Sequence, residues 1–414
     1  MVLVIRNAAQ LVRVAERGER VKAGREMREL AIIEDGAVLV RDGRIDWVGP
    51  TSELPAVPAG AEVIDASGKT VLPGLVDSHT HLVFAGTRDD EFELRLQGAS
   101  YQEIAARGGG INATVQRVRA ASTDELKELA RRRLDRMLAL GVTTVEVKSG
   151  YGLTLADEVK CLEAIAELDR EHPCDLVPTF MGAHDVPPEY RDDREAYLHV
   201  VTEEMIPAVA AGGLAEFCDV FCEKGVFSLE ESARVLTAAA AHGLKLKVHA
   251  DEFSPLGGAE LAARFRATSA DHLLHITEPG IDALRQAGTV ATLLPGTAFF
   301  LGVPYAPGRR LIDCGLAVAL ATDCNPGSSM TVNLPLVGVM ACAQMRILPA
   351  EVVTALTLNA AAALALGDRI GSIEVGKQAD LVIFDVAGYR LLFYEFGTNH
   401  VWHVIKSGRV VVSA

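Results

Sequence analysis

The feature that most constrains this chain is a succession of short apolar, β-branched runs that alternate with stretches of helical periodicity through its middle. The runs fall at Val71–Val76, Val142–Val147, Asp175–Phe180, Glu216–Phe221, Lys245–Val248, Asp271–Leu274, Thr289–Leu294 and Leu316–Ala321. Between them, Asp124–Leu140 follows Ser122 with Glu125 three residues on, the spacing of a capping box, and stops at Gly141. Leu155–Glu171 carries apolar residues at helical spacing, and Ser228 with Glu231 opens another helix that ends at Gly243. Strands that are apolar almost throughout, rather than at alternate positions, are buried on both faces, which is the condition of parallel strands covered by helices. Eight such units in succession predict a closed (β/α)8 TIM barrel of the α/β class rather than an open sheet.

The two ends differ from the middle. Ala37–Val48 reads as a hairpin around Asp42-Gly43, and ADLVIFD at 379–385 is followed by a second hairpin, 401–413, around Ser407-Gly408. Neither end is large enough to enclose a core of its own, so both are expected to join in one small β-sandwich domain. The expected division is 1–65 and 368–414 for the two parts of that domain and 66–367 for the barrel, with NAAAALALG at 359–367 closing the last barrel helix.

Charge and cysteine usage narrow the partners. Asp plus Glu is 55 and Lys plus Arg is 40, a net charge of −15 with no compensating basic patch. Such a field repels nucleic acid and anionic lipid. No uncharged apolar stretch reaches the ~18 residues that a membrane span requires. The opening Met1–Ile5 is cut short by Arg6, too early for a signal-peptide core. Seven cysteines without a CxxC pair suit a reducing compartment. The expectation is a cytoplasmic protein with a small-molecule substrate, and a homodimer is compatible with it.

In a barrel of this kind the chemistry lies at the C-terminal ends of the strands. The first run leads into Asp77-Ser78-His79-Thr80-His81, whose histidines at i and i+2 share one strand face and can grip one cation. The fifth ends in His249, the sixth carries Asp271-His272, and the eighth ends in Thr322-Asp323. An HxH pair alone is a weak signal. Joined by a third histidine and an aspartate at other strand ends of the same rim, it is a strong one. The set His79, His81, His249 and Asp323 suits one borderline divalent ion, zinc first and iron next. Glu252, three residues past His249, is available as a proton shuttle that is not itself a ligand.

These residues resemble the amidohydrolase superfamily and, within it, the imidazolonepropionase family. VLPGLVDSHTH at 71–81, the stretch Thr80–Ile111, VKSGYGL at 147–153, FMGAHDVPPEY at 180–190, VHADEFSPLGGAELA at 248–262, SADHL at 269–273 and ATDCNPGS at 321–328 carry the likeness over essentially the whole chain. The resemblance implies hydrolysis of the cyclic amide of 4-imidazolone-5-propanoate to N-formimidoyl-L-glutamate, a step of histidine degradation, with a single metal. Glu223 or Lys224 at the end of strand four would instead serve a second metal.

The implied substrate is a planar lactam with a propionate tail. On an acidic protein the tail needs a local cation, and Arg88 offers a bidentate fork, unless it pairs on the surface with Asp89 or Asp90. Tyr151, between glycines, and His184, after strand three, are expected at the ring or tail; packing roles are the alternative for both. The resemblance gives Asn325 and Gly327 contacts with the opened product and Ser328 a contact with the ring. It also implies that Asp323 accepts the proton of water, His272 polarises the lactam carbonyl, and Glu252 protonates the leaving nitrogen. A ring aminohydrolase of the guanine- or cytosine-deaminase type shares the ligand pattern but has no anionic tail to bind, so Arg88 and Tyr151 separate the two readings.

Overall fold

The computed structural model describes residues 1–98 and 109–413. Five strands open the chain: β1 (Val2–Val12), β2 (Ile32–Arg41), β3 (Arg44–Pro50), β4 (Glu62–Asp65) and β5 (Thr70–Pro73). Eight parallel strands follow: β6 (Leu75–Asp77), β7 (Val142–Lys148), β8 (Asp175–Ala183), β9 (Phe217–Cys222), β10 (Lys245–Ala250), β11 (Ser269–His272), β12 (Val290–Leu293) and β13 (Val318–Leu320). Three more, β14 (Leu381–Phe384), β15 (Val401–Lys406) and β16 (Arg409–Ser413), return to the first sheet.

Strands β6 to β13 pair in chain order, as expected of the barrel. The seam between β6 and β13 closes beyond the strand ends. Asp77 accepts from the Thr322 amide at 3.1 Å and from its hydroxyl at 2.6 Å. Asp323 N donates to His79 O and His81 N to Cys324 O, each at 3.0 Å. The backbone of the HxH segment is thereby laced to that of Asp323, which brings residues far apart in sequence onto one patch of the rim.

The helices start and stop where their caps dictate. Ser122 accepts from Glu125 N, and the helix Thr123–Ala139 gives way to Gly141 at φ +90°. Thr154 caps Leu155–Glu171. Ser228 and Glu231 form the full reciprocal capping box of Leu229–Ala241. At Ser122 only the side-chain half of that box is present.

The strands of the two ends form one continuous sheet in the order β16-β15-β14-β5-β1-β2-β3, with β4 also on β1. A register shift between Ile5 and Ala8 lets the first half of β1 pair with β4 and the second half with β5. The sheet curls so that the β2–β3 turn meets the segment before β14: Ala379 N donates to Gly43 O at 2.9 Å. Leu3, Ile5, Val38, Ile45, Leu381, Ile383 and Ile405 fill the core enclosed by that fold.

The run Val71–Val76 does not form a single barrel strand. Thr70–Pro73 belongs to the terminal sheet, and only Leu75–Asp77 enters the barrel. The break is Gly74, where a Cβ would lie 2.2 Å from the Thr143 hydroxyl oxygen and 2.7 Å from its methyl. Gly74→Ala therefore forces β6 away from β7. The expected cost is that of overpacking, about 1–3 kcal/mol, read as a lower denaturant midpoint with an unchanged slope.

Candidate metal centre

The strand ends bring His79, His81, His249 and Asp323 together in a buried cluster. The ligand atoms of the three histidines lie within 4.8 Å of one another. His249 Nε2 is 3.3 Å from His81 Nε2, and Asp323 Oδ1 is 3.5 Å from His79 Nε2 and 3.6 Å from His81 Nε2. The far side of three of the four groups faces a polar neighbour. His79 Nδ1 donates to Asp271 Oδ2 at 2.6 Å, and Asp323 Oδ2 accepts from the Thr297 hydroxyl at 2.6 Å. His249 Nδ1 faces Asp219 Oδ2 at 3.0 Å. With its proton on the side of Asp271, His79 presents a lone pair to the centre, where its buried Nε2 has no hydrogen-bond partner among the described residues; His249 turns Nδ1 toward Asp219 and Nε2 toward His81.

Three imidazole nitrogens and a carboxylate oxygen gathered this closely suit a cation. A tetrahedral site with ligands at roughly 2.0–2.1 Å has ligand–ligand edges of about 3.3–3.4 Å. The observed separations of 3.3, 3.5 and 3.6 Å are close to that. Burial also keeps the ligands in their binding form. Desolvation first, then nearby positive groups, holds His79 and His81 well below the usual histidine range, so both are neutral.

Glu252 and His272 lie beside the cluster. Glu252 Oε2 is 3.5 Å from His272 Nε2, and among the described residues neither His272 nitrogen has a hydrogen-bond partner. Burial, with Asp323 and Glu223 adding to it, pushes the Glu252 carboxyl well above its ordinary range. Burial raises Asp323 to about 6 against the pull of the Thr297 hydroxyl. His272 and Asp323 both have left-handed backbones, φ +77° and +53°. Such conformations cost energy in residues other than glycine and gather at functional sites.

The remaining candidates form the wall. His184 stacks on His81 with ring centroids 4.8 Å apart, and Tyr151 is 5.7 Å from His81 and 5.2 Å from His184. Asn325 Oδ1 accepts from the amides of Gly327 and Ser328, each at 2.8 Å, and so shapes the loop after Asp323. Arg88 lies over that loop: a Cβ on Gly327 would be 2.4 Å from its Nη1. Its salt-bridge partner is Glu91 at 2.8 Å, not Asp89 or Asp90, because the helix Asp89–Leu96 turns position i+3 toward it. Arg88 also lines a cleft of about 410 Å³ with Phe92, Phe300, Pro326 and Met330. Residues 99–108 of the Thr80–Ile111 stretch lie outside the described residues.

Glu223 does not face the cluster as a bridge for a second metal. Both its oxygens are engaged by the 253–254 segment: Phe253 N donates to Oε2 at 2.8 Å, and the Ser254 hydroxyl donates to Oε1. Lys224 is exposed. What the sequence reading gave no role to is the buried charge behind the ligands, namely Asp219, Glu146 and Lys148, and Asp271 as the partner of His79.

Comparison with known proteins agrees with this architecture. Residues 70–411 match the model of the amidohydrolase family, and residues 36–56 match that of the bacterial imidazolonepropionase-like composite domain. An imidazolonepropionase of Geobacillus sp. (strain WCH70) is 54% identical, covering 100% of this chain and 98% of the relative. The chain belongs to the imidazolonepropionase family. Another member, from Brevibacillus brevis, is 53% identical over 99% of this chain and 97% of its own. Among solved structures, a triazine hydrolase variant superposes with a TM-score of 0.77 at 19% identity, covering 100% of this chain and 95% of that one. Guanine deaminase of E. coli gives 0.73 at 17%, with 100% of both chains covered. At those identities the likeness is one of fold. As an amidohydrolase the chain is metal-dependent, and the histidine cluster is where a metal fits.

Proposed function

We propose that this chain hydrolyses the cyclic amide of 4-imidazolone-5-propanoate to N-formimidoyl-L-glutamate, using one divalent ion held by His79, His81, His249 and Asp323. Full-length likeness to relatives named imidazolonepropionase carries this reading. A ring deaminase, the competing reading, has only the fold of distant neighbours behind it. Three imidazoles and one carboxylate favour zinc, with iron as the next candidate. Bound there, the ion would lower the pKa of its water toward neutral, so that hydroxide is available near neutral pH. Free thiols at all seven cysteines support a reducing, cytoplasmic setting. No helix among the described residues is long and apolar enough to cross a membrane.

The residues then divide the work. Asp323 takes the proton of the attacking water through Oδ1 while Thr297 holds Oδ2. His272, whose ring nitrogens make no hydrogen bond among the described residues, donates to the lactam oxygen as charge develops there. Glu252, protonated by virtue of its burial, delivers a proton to the ring nitrogen as the C–N bond breaks. Tyr151 and His184 contact the ring or tail, and the Asn325–Ser328 loop closes over the product side. Arg88, presented across Gly327, pairs with the propionate.

Arg88→Met tests the substrate side of this assignment. Hydrogen bonds to charged groups contribute roughly 1.5–3 kcal/mol, which corresponds to a KM increase on the order of ten- to a hundredfold. The affinity of an analogue lacking the carboxylate should barely change. Equal losses for both compounds would mean that Arg88 supports the loop through Glu91 and Gly327 and does not read the tail.

A further inference from the structure

Behind the ligands lies a charged group that none of the roles above uses. Lys148 is fully buried at the end of β7. Its Nζ is 2.6 Å from Glu146 Oε1 and 2.9 Å from Asp219 Oδ2. Each carboxylate in turn reaches a different part of the ligand set. Asp219 Oδ1 accepts from the amides of Val220 at 2.7 Å and His249 at 3.2 Å, and its Oδ2 faces His249 Nδ1 at 3.0 Å. Glu146 Oε2 accepts from the amide of Thr80 at 3.1 Å, between the two histidines of the HxH pair. The Thr80 hydroxyl donates to Glu146 O at 2.6 Å, and Lys148 N donates to Thr80 O at 3.0 Å.

We propose that Lys148 is a positioning residue of the metal centre, its ammonium bracing Asp219 behind His249 and Glu146 behind the HxH segment so that ligands from two separate strands keep one geometry. Asp219 alone would orient His249, and Glu146 alone would pin Thr80. Only the ammonium between them ties the two placements together. Two carboxylates this close also need it, since buried like charges repel strongly when unpaired. The strand supplies the arrangement directly: Glu146 and Lys148, at i and i+2, lie on the same face of β7.

The test measures zinc affinity by chelator competition on the purified full chain, together with the unfolding midpoint of the metal-free form. Lys148→Met leaves two unpaired buried carboxylates and can fail to fold. The deciding variant is therefore Lys148→Met combined with Glu146→Gln, which conserves the net charge of the trio and leaves Asp219 facing His249. The expected result is a zinc dissociation constant raised roughly 10- to 100-fold, the usual loss when groups supporting metal ligands are removed, with the metal-free midpoint near that of the unmodified chain. Zinc affinity within threefold of the unmodified chain would overturn the proposal. So would a double variant that does not fold, because Lys148 would then be a general core element. The proposal rests on the metal reading, and the two can fail separately: an unmodified chain that binds no zinc rejects the metal site itself.

Discussion

Glu252→Gln is expected to retain zinc and fold while losing about 10²- to 10⁴-fold in kcat, the usual worth of a positioned proton donor. Glutamine keeps the size and hydrogen-bonding capacity of the side chain but has no acidic proton to deliver. Glu252 is buried, its carboxyl is raised well above the ordinary range by burial, and it lies 3.5 Å from His272 rather than in the ligand cluster. The loss should therefore fall on kcat and much less on KM. A variant with near-normal kcat and full zinc content would reduce Glu252 to a loop carboxylate, and the protonation of the leaving nitrogen would need another donor.

His249→Ala and His79→Ala should each lower zinc content from about one equivalent per chain to a small fraction, with activity falling in step. Each removes one nitrogen from the cluster. Each also strands a carboxylate: Asp219 loses the group 3.0 Å away and Asp271 the one at 2.6 Å. Metal analysis of dialysed protein reads the effect directly. Two tightly held ions per unmodified chain would contradict the single-ion arrangement, and Glu223 would have to release the 253–254 segment to serve the second.

The barrel and the ligands were legible because one rule covers both: apolar runs buried on two faces stop where a polar residue reaches the rim. His79, His81, His249 and Asp323 each terminate or closely follow such a run, and the structure gathers them into one cluster. The break at Gly74 was hidden because the residues on either side of it, Thr70–Pro73 and Leu75–Asp77, are all buried, one set in the terminal sheet and the other in the barrel, so hydropathy sees one run. The support behind the ligands was hidden for a different reason. Asp271 and His79 are 192 residues apart, and a lone acidic residue on a strand carries no local mark of the partner it will meet. Asp271 was visible only as the neighbour of His272, and Glu146 only as part of a β-type run. The Arg88–Glu91 pair was not legible either, because the helix that turns Glu91 toward Arg88 begins at Asp89 with no strong apolar pattern to announce it.

The most direct test of the central claim is to incubate the purified, zinc-loaded chain with 4-imidazolone-5-propanoate, following the ultraviolet absorbance of the ring, the mass of the product and the release of ammonia. The expected result is loss of the ring absorbance, a product one water heavier with the mass of N-formimidoyl-L-glutamate, and no ammonia. An unchanged substrate, or turnover that releases ammonia and leaves the ring closed, would contradict it.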